Sequence, residues 1–157
     1  VELLNSCKAS LERLYTCRDN LDFLLANGTK GASNLLTEKA AAAKVKFINA
    51  MDDDLNTPDA LAALFELVKD INTLAPEASG EALAAAAAAF DEITGVLGLL
   101  YNRQKDEVPA EVTELVQKRA EAKKAKDWAT ADALRARITE LGYVVEDTPQ
   151  GPKVSKA

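Results

Sequence analysis

At 157 residues the chain has room for one ordinary domain or two small ones, and with 48% apolar residues it can bury a core, so nothing in its composition argues for disorder. Alanine and leucine dominate that apolar share and only 5% of residues are aromatic, a balance that favours close-packed helices over sheets. The net charge is −6 and there is no histidine, so the commonest general base and the commonest zinc ligand are both missing, which weighs against acid–base or metal chemistry within this chain.

The first segment places Leu3, Leu4, Cys7, Leu11, Leu14, Tyr15, Leu21, Leu24 and Leu25 mostly at steps of three and four, predicting one long amphipathic helix that Asn27-Gly28 ends. It starts Val1-Glu2-Leu3-Leu4, with no initiator methionine and no basic leader, so the chain is expected to be a piece of a longer protein. Cys7 and Cys17 lie ten apart on that helix, too far for a disulfide within it and unlike a metal-ligand spacing. They are expected as buried or half-buried thiols in a reducing cytoplasm.

A polar loop from Gly28 to Asn34 leads to a second helix, from about Leu35 to Met51, closed by Asp52-Asp53-Asp54. Successive aspartates on a helix end point in different directions, so they suit a helix terminus better than Mg²⁺. Asn56-Thr57-Pro58-Asp59 then supplies a capping side chain, a proline in the first turn and an acid at the positive dipole end. The helix it opens carries Leu61, Leu64, Phe65, Val68, Ile71, Asn72 and Leu74 on one stripe, until Pro76 to Gly80 break it. A fourth helix is predicted from about Glu81 to Tyr101, with Phe90, Ile93, Val96, Leu97, Leu99 and Leu100 apolar. Its longest apolar run, Ala82 to Phe90, falls far short of the roughly 20 residues that span a bilayer, so no membrane partner is expected. Four helices with short connections predict a bundle over residues 1–102.

Residues 103–110 are polar and end in proline, as a linker between packed units does. Beyond it, Glu111 to Lys126 reads as a helix, Asp127 as an N-cap, and Trp128 to Leu141 as a second helix with Gly142 at its C-cap. Tyr143 to Glu146 is β-prone, Asp147 to Gly151 is a turn, and Lys153 to Ser155 is a short return strand. The expected fold class is therefore mainly α, an antiparallel helix bundle followed by a small α+β module of two helices and a β-hairpin over residues 111–157. Charge divides the same way: residues 1–110 hold 10 basic and 17 acidic side chains, residues 111–157 hold 9 and 8. A local basic surface is what a nucleic-acid footprint requires, and the global balance hides it.

Two stretches resemble one family. Met51-Asp-Asp-Asp-Leu-Asn-Thr-Pro-Asp-Ala-Leu-Ala-Ala-Leu-Phe65 is similar to a segment opening a bundle helix in bacterial cysteinyl-tRNA synthetases. Arg119-Ala-Glu-Ala-Lys-Lys-Ala-Lys-Asp-Trp128, continuing through Ala131-Asp132 and Arg135 to Leu141-Gly142 and Glu146-Asp147-Thr148-Pro149-Gln150-Gly151, resembles their C-terminal end, in the same order and spacing. The resemblance implies a bundle of the anticodon-binding type found in class I synthetases, the tRNA for cysteine as partner, a catalytic domain elsewhere in the same protein, and a cytoplasmic location. It implies ATP and zinc as requirements of the full-length enzyme and neither for this region, which is expected to be inactive alone. Lys153-Val154-Ser155-Lys156-Ala157 echoes the mobile lysine loop of class I synthetases, but that loop precedes the bundle in the family, so a solvated tail is expected. The family often closes with an aromatic and arginines where this chain reads Pro152-Lys153-Val154-Ser155-Lys156.

The resemblance places Trp128 and Asp132 beside the first anticodon base and Asp147 near the second. For the anticodon GCA, carboxylates facing the amino groups of G and C are chemically apt. Lys123, Lys124 and Arg135 are candidates for phosphate contacts, within a basic run that also includes Lys118, Arg119, Lys126 and Arg137, and Gln150 for a hydrogen bond to a splayed base. Plainer readings stand beside these: Trp128 as a core anchor, Asp132 and the lysines as a solvated face, Asp147 as a turn residue satisfying its own backbone. Two other functions fit the helical pattern, a protein-interaction module that binds no RNA and a related cysteine ligase of thiol biosynthesis. The latter should lack the anticodon module. No DNA partner is expected.

Overall fold

A computed structural model describes residues 2–101, 108–148 and 151–156. The chain divides into two compact units, Val1–Arg103 and Gln104–Ala157. Residues 103–107 of the expected linker lie outside the described residues, as do Asn102 and, in the expected turn, Pro149 and Gln150.

The first unit holds four helices, α1 (Glu2–Asn27), α2 (Leu35–Asp52), α3 (Thr57–Leu74) and α4 (Gly80–Val96), with a 3-10 turn over Ala75–Glu77. The buried residues of α2 are Leu36, Ala40, Ala43, Phe47 and Ala50, steps of four and three that keep one seam against the neighbouring helices. Three of these five are alanines, and α4 adds Ala82, Ala86, Ala87 and Ala89, so helix axes approach closely around Phe90, Leu83, Leu64, Leu67 and Leu21. Each such Leu or Phe contributes about 2 kcal/mol by leaving water. Arg18 ties α1 to α4, its Nε and Nη2 donating to the Asp91 carboxylate at 2.7 and 2.9 Å while Nη1 donates to Asp22 at 2.6 Å.

The predicted α3 start is realised in detail: Asn56 Oδ1 accepts from the Asp59 N–H at 3.2 Å and Asn56 Nδ2 donates to the Asp59 carboxylate at 2.9 Å. Ser79 caps α4 in the same manner. Several apolar assignments differ from expectation. On α3, Leu67 is buried where Leu61 and Asn72 are exposed, because the buried arc centres on Ala60, Ala63, Leu64, Leu67, Val68 and Ile71. The fourth helix stops at Val96 instead of reaching Tyr101: Gly98 takes a left-handed φ of +65° and the Leu99 N–H folds back to the Thr94 carbonyl at 2.8 Å. Val96 and Tyr101 are consequently exposed, Tyr101 to 92%. Near the start of α1, Leu3, Leu4 and Cys7 are exposed, so of the two thiols only Cys17 is buried, and burial pushes it up to about 11.

The second unit comprises α5 (Ala110–Lys124), α6 (Trp128–Glu140), β1 (Tyr143–Thr148) and β2 (Gly151–Lys156). β1 and β2 pair antiparallel, from Tyr143 opposite Lys156 to Thr148 opposite Gly151. Asp147, Thr148 and Gly151, expected in a turn, are thus strand residues, and the return strand expected over Lys153–Ser155 runs from Gly151 to Lys156, taking in the described part of the expected tail. Val112, Val116, Ile138 and Val145 are the buried cluster, flanked by Val108, Leu115, Leu141, Tyr143 and Val154. So few buried side chains leave this unit dependent on other interactions.

Close approach also governs the loop before α2. The Ser33 N–H donates to Glu77 O at 3.0 Å and the Ser79 N–H to Ser33 O at 2.9 Å, drawing the loop against the turn before α4. A Cβ on Gly31 would stand 2.2 Å from the carbonyl carbon of Glu77. Gly31→Ala is therefore expected to destabilise the first unit by about 2 kcal/mol, whereas Gly95→Ala, whose Cβ meets nothing within 4 Å inside α4, should stabilise it by about 0.5–1 kcal/mol. Urea denaturation followed by circular dichroism checks both.

Candidate nucleic-acid interface

In the second unit α5 presents Arg119 and Lys123 four residues apart on one face, and β1 carries Asp147 to that face. Arg119 Nη1 and Nη2 donate to the two Asp147 carboxylate oxygens, each at 2.9 Å, and Lys123 Nζ donates to Oδ2 at 2.7 Å. Arg119 is only 6% exposed, while the Asp147 side chain is about half exposed. The hydrogen bonds from Arg119, then that from Lys123, hold the Asp147 carboxyl far below the usual carboxylate range, and the same fork raises Arg119. Arg119 Nε is buried with no hydrogen-bond partner among the described residues.

α6 begins at Trp128 because Asp127 caps it, Oδ1 accepting from the Thr130 N–H at 3.1 Å and Oδ2 from the Thr130 hydroxyl at 2.6 Å. Trp128 is 59% exposed, so it is not a core anchor; the buried residues of α6 are Ala131 and Ile138. Trp128, Asp132 and Arg135 stand at steps of four and three along one side of that helix, all exposed. The Asp132 charge adds to that of Asp147 in raising Arg119, as the smaller influence.

The structure thus brings together Lys123 and Asp147 around the buried Arg119, and sets Trp128, Asp132 and Arg135 on one side of α6. Lys124 is exposed beside them. Gln150 lies outside the described residues. The basic run separates into two groups. Lys118 is engaged by Glu114 at 2.7 Å, Arg119 and Lys123 by Asp147, and Arg137 by Glu140 at 2.9 Å. Lys124, Lys126 and Arg135 make no ion pair among the described residues and remain exposed.

Arg119 is the residue whose part was not foreseen, because a run of cations on a helix reads as solvated. The available signal was its spacing of four from Lys123, which aims two cations at one point. An exposed indole offers a face on which a base can stack, an ionised carboxylate accepts from an amino group, and unpaired cations suit phosphates. Elsewhere, a groove of about 270 Å³ on the first unit is lined by Lys39, Lys46, Lys69, Glu66 and Asp70, with Lys46 already bonded to Glu66.

Acid should weaken this unit in a defined way. A carboxyl lowered in the folded state contributes stability that is fully present above its unfolded pKa, near 3.8, and lost as pH falls through the folded value. Urea unfolding from neutral pH down to about pH 2 is expected to show wild type more stable than Asp147→Asn by about 2 kcal/mol near neutrality, the gap closing below about pH 4. A gap independent of pH would contradict the fork.

Residues 46–101 match the DALR domain, and residues 105–153 match the cysteinyl-tRNA ligase anticodon binding domain. Over 160 residues the chain is 43% identical to a cysteine–tRNA ligase of Caldicellulosiruptor saccharolyticus, covering 99% of this chain and 34% of that protein. A cysteine–tRNA ligase of Clostridioides difficile is 43% identical over 97% of this chain and 34% of its own length, and one of Salmonella arizonae 41% identical over 96% and 32%. The chain spans about a third of the length of the curated relatives it matches.

Proposed function

The chain belongs to the cysteine–tRNA ligase family through its DALR and anticodon-binding domains, and on that premise we propose that it is the tRNA-binding region of such a ligase. Its second unit reads the anticodon, and the full-length protein attaches cysteine to its tRNA with ATP. The observation that carries this reading is Trp128, more than half exposed on the side of α6 that also bears Asp132 and Arg135. A base stacks on the indole, the Asp132 carboxylate accepts from a neighbouring amino group, and Arg135 and Lys124 neutralise the backbone. Asp147, half exposed and kept ionised by Arg119 and Lys123, presents an acceptor whose position is set before RNA arrives. Lys123 acts in this reading through Asp147, and Gln150 adds a hydrogen bond.

Zinc and ATP belong to the full-length enzyme in this reading. Among the described residues no group of three His, Cys, Asp or Glu side chains is placed to hold a metal ion, and no step here is routed through one. The two units present tRNA to a catalytic domain of the same protein in the cytoplasm. No described helix is long and apolar enough to cross a membrane. A protein-interaction module that binds no RNA is disfavoured by the exposed indole, and the thiol-biosynthesis relative by the match to the anticodon-binding domain.

The 157-residue chain is expected to bind a cysteine-tRNA transcript more tightly than one with a single changed anticodon base, measured by fluorescence anisotropy at fixed salt. Equal binding would mean that the second unit does not read the anticodon. Trp128→Ala should weaken binding about tenfold, the loss of one stacked base, with little change in melting temperature because the ring is exposed.

A further inference from the structure

Helices α1, α4 and α6 are each followed by a glycine in the left-handed region, Gly28 at φ +77°, Gly98 at +65° and Gly142 at +83°. Helix α5 closes with the same double hydrogen bond as α4. After α4, the Leu99 N–H donates to Thr94 O at 2.8 Å and the Gly98 N–H to Gly95 O at 3.2 Å. After α5, the Asp127 N–H donates to Ala122 O at 2.9 Å and the Lys126 N–H to Lys123 O at 3.1 Å. The left-handed residue between these bonds is Lys126, at φ +60°.

A Cβ makes that conformation costly, and lysine lacks the short polar side chain that lets Asp or Asn tolerate it. The other positive-φ residues that are not glycine, Asp54, Leu55 and Leu100, all lie in the first unit. Among the described residues of the second unit nothing rewards the lysine. Its side chain is exposed and makes no hydrogen bond or ion pair among the described residues, and Lys123 and Lys124 already supply the basic last turn that the helix dipole favours. A glycine would make the same backbone bonds without strain. The charge is therefore left available to a group outside the chain, two residues before the exposed Trp128.

We propose that Lys126 is a further RNA-contact residue, its ammonium neutralising a backbone phosphate next to the base that stacks on Trp128. The inference rests on the tRNA-binding reading above. A phosphate bound by a compact ammonium on a flexible stem carries no sequence information, so Lys126 adds affinity for any RNA while the carboxylates discriminate.

Stability and binding should then move in opposite directions. In the 157-residue chain, Lys126→Gly is expected to raise the melting temperature of the second unit by roughly 4–8 °C through relief of strain. The same variant should weaken a cysteine-tRNA transcript on the order of fivefold, whatever its anticodon, and reduce the slope of log affinity against log salt by about 0.7–0.9, one phosphate's worth. Lys126→Arg should keep the wild-type slope. Wild-type affinity and slope in Lys126→Gly would overturn the role of Lys126 while leaving the tRNA-binding reading intact. A lowered melting temperature in Lys126→Gly would overturn the strain argument and the proposal with it. Absence of any tRNA binding by wild type, even at low salt, would overturn both readings.

Discussion

A guanidinium that is all but removed from water has to be neutralised, and in the second unit this requirement decides where β1 lies against α5. Arg119 offers a planar fork, and only a carboxylate arriving edge-on satisfies both of its terminal nitrogens. Asp147 meets that condition from the next-to-last position of β1, so the approach of that strand end to the helix is held by one pair of parallel hydrogen bonds. Removing either partner would leave a buried charge or a misplaced strand, which costs more than the pair contributes over an apolar substitute. The four-residue apolar core around Ile138 could not impose this geometry alone.

The first unit solves its packing differently. Alanines along α2 and α4 bring helix axes near one another, and Phe90 and the leucines fill what remains. Polar interactions there mark ends and edges: Asn56 and Ser79 begin helices, Gly31 admits the backbone of the turn before α4, and Arg18 closes the outer face between α1 and α4. None of these groups sets an unpaired cation beside an exposed aromatic, as Arg135 and Trp128 stand in the second unit.

Within that unit, charges that look alike in one dimension divide into paired and unpaired. Lys118, Arg119, Lys123 and Arg137 are paired and shape the unit; Lys124, Lys126 and Arg135 are left to face solvent. Asp147 stands between the two classes. Its lone pairs are partly used by Arg119 and Lys123, which keeps it ionised and still, and the exposed half of the side chain leaves an acceptor for an amino group.

The sequence by itself determined the helices, the starts at Asn56 and Asp127, the glycine after α6, the hairpin and the family, because periodicity, capping and turn chemistry are local in the chain and the two motifs are contiguous. It also placed Trp128, Asp132 and Asp147 on one list. What only the tertiary structure decided was which apolar residues are buried and which charges are spent. The arc of α3 rotated to Leu67, α4 stopped short of Tyr101, and Leu3, Leu4 and Cys7 stayed exposed. Burial depends on what packs opposite, and an ion pair such as Arg119–Asp147 spans 28 residues, a separation at which spacing carries no signal.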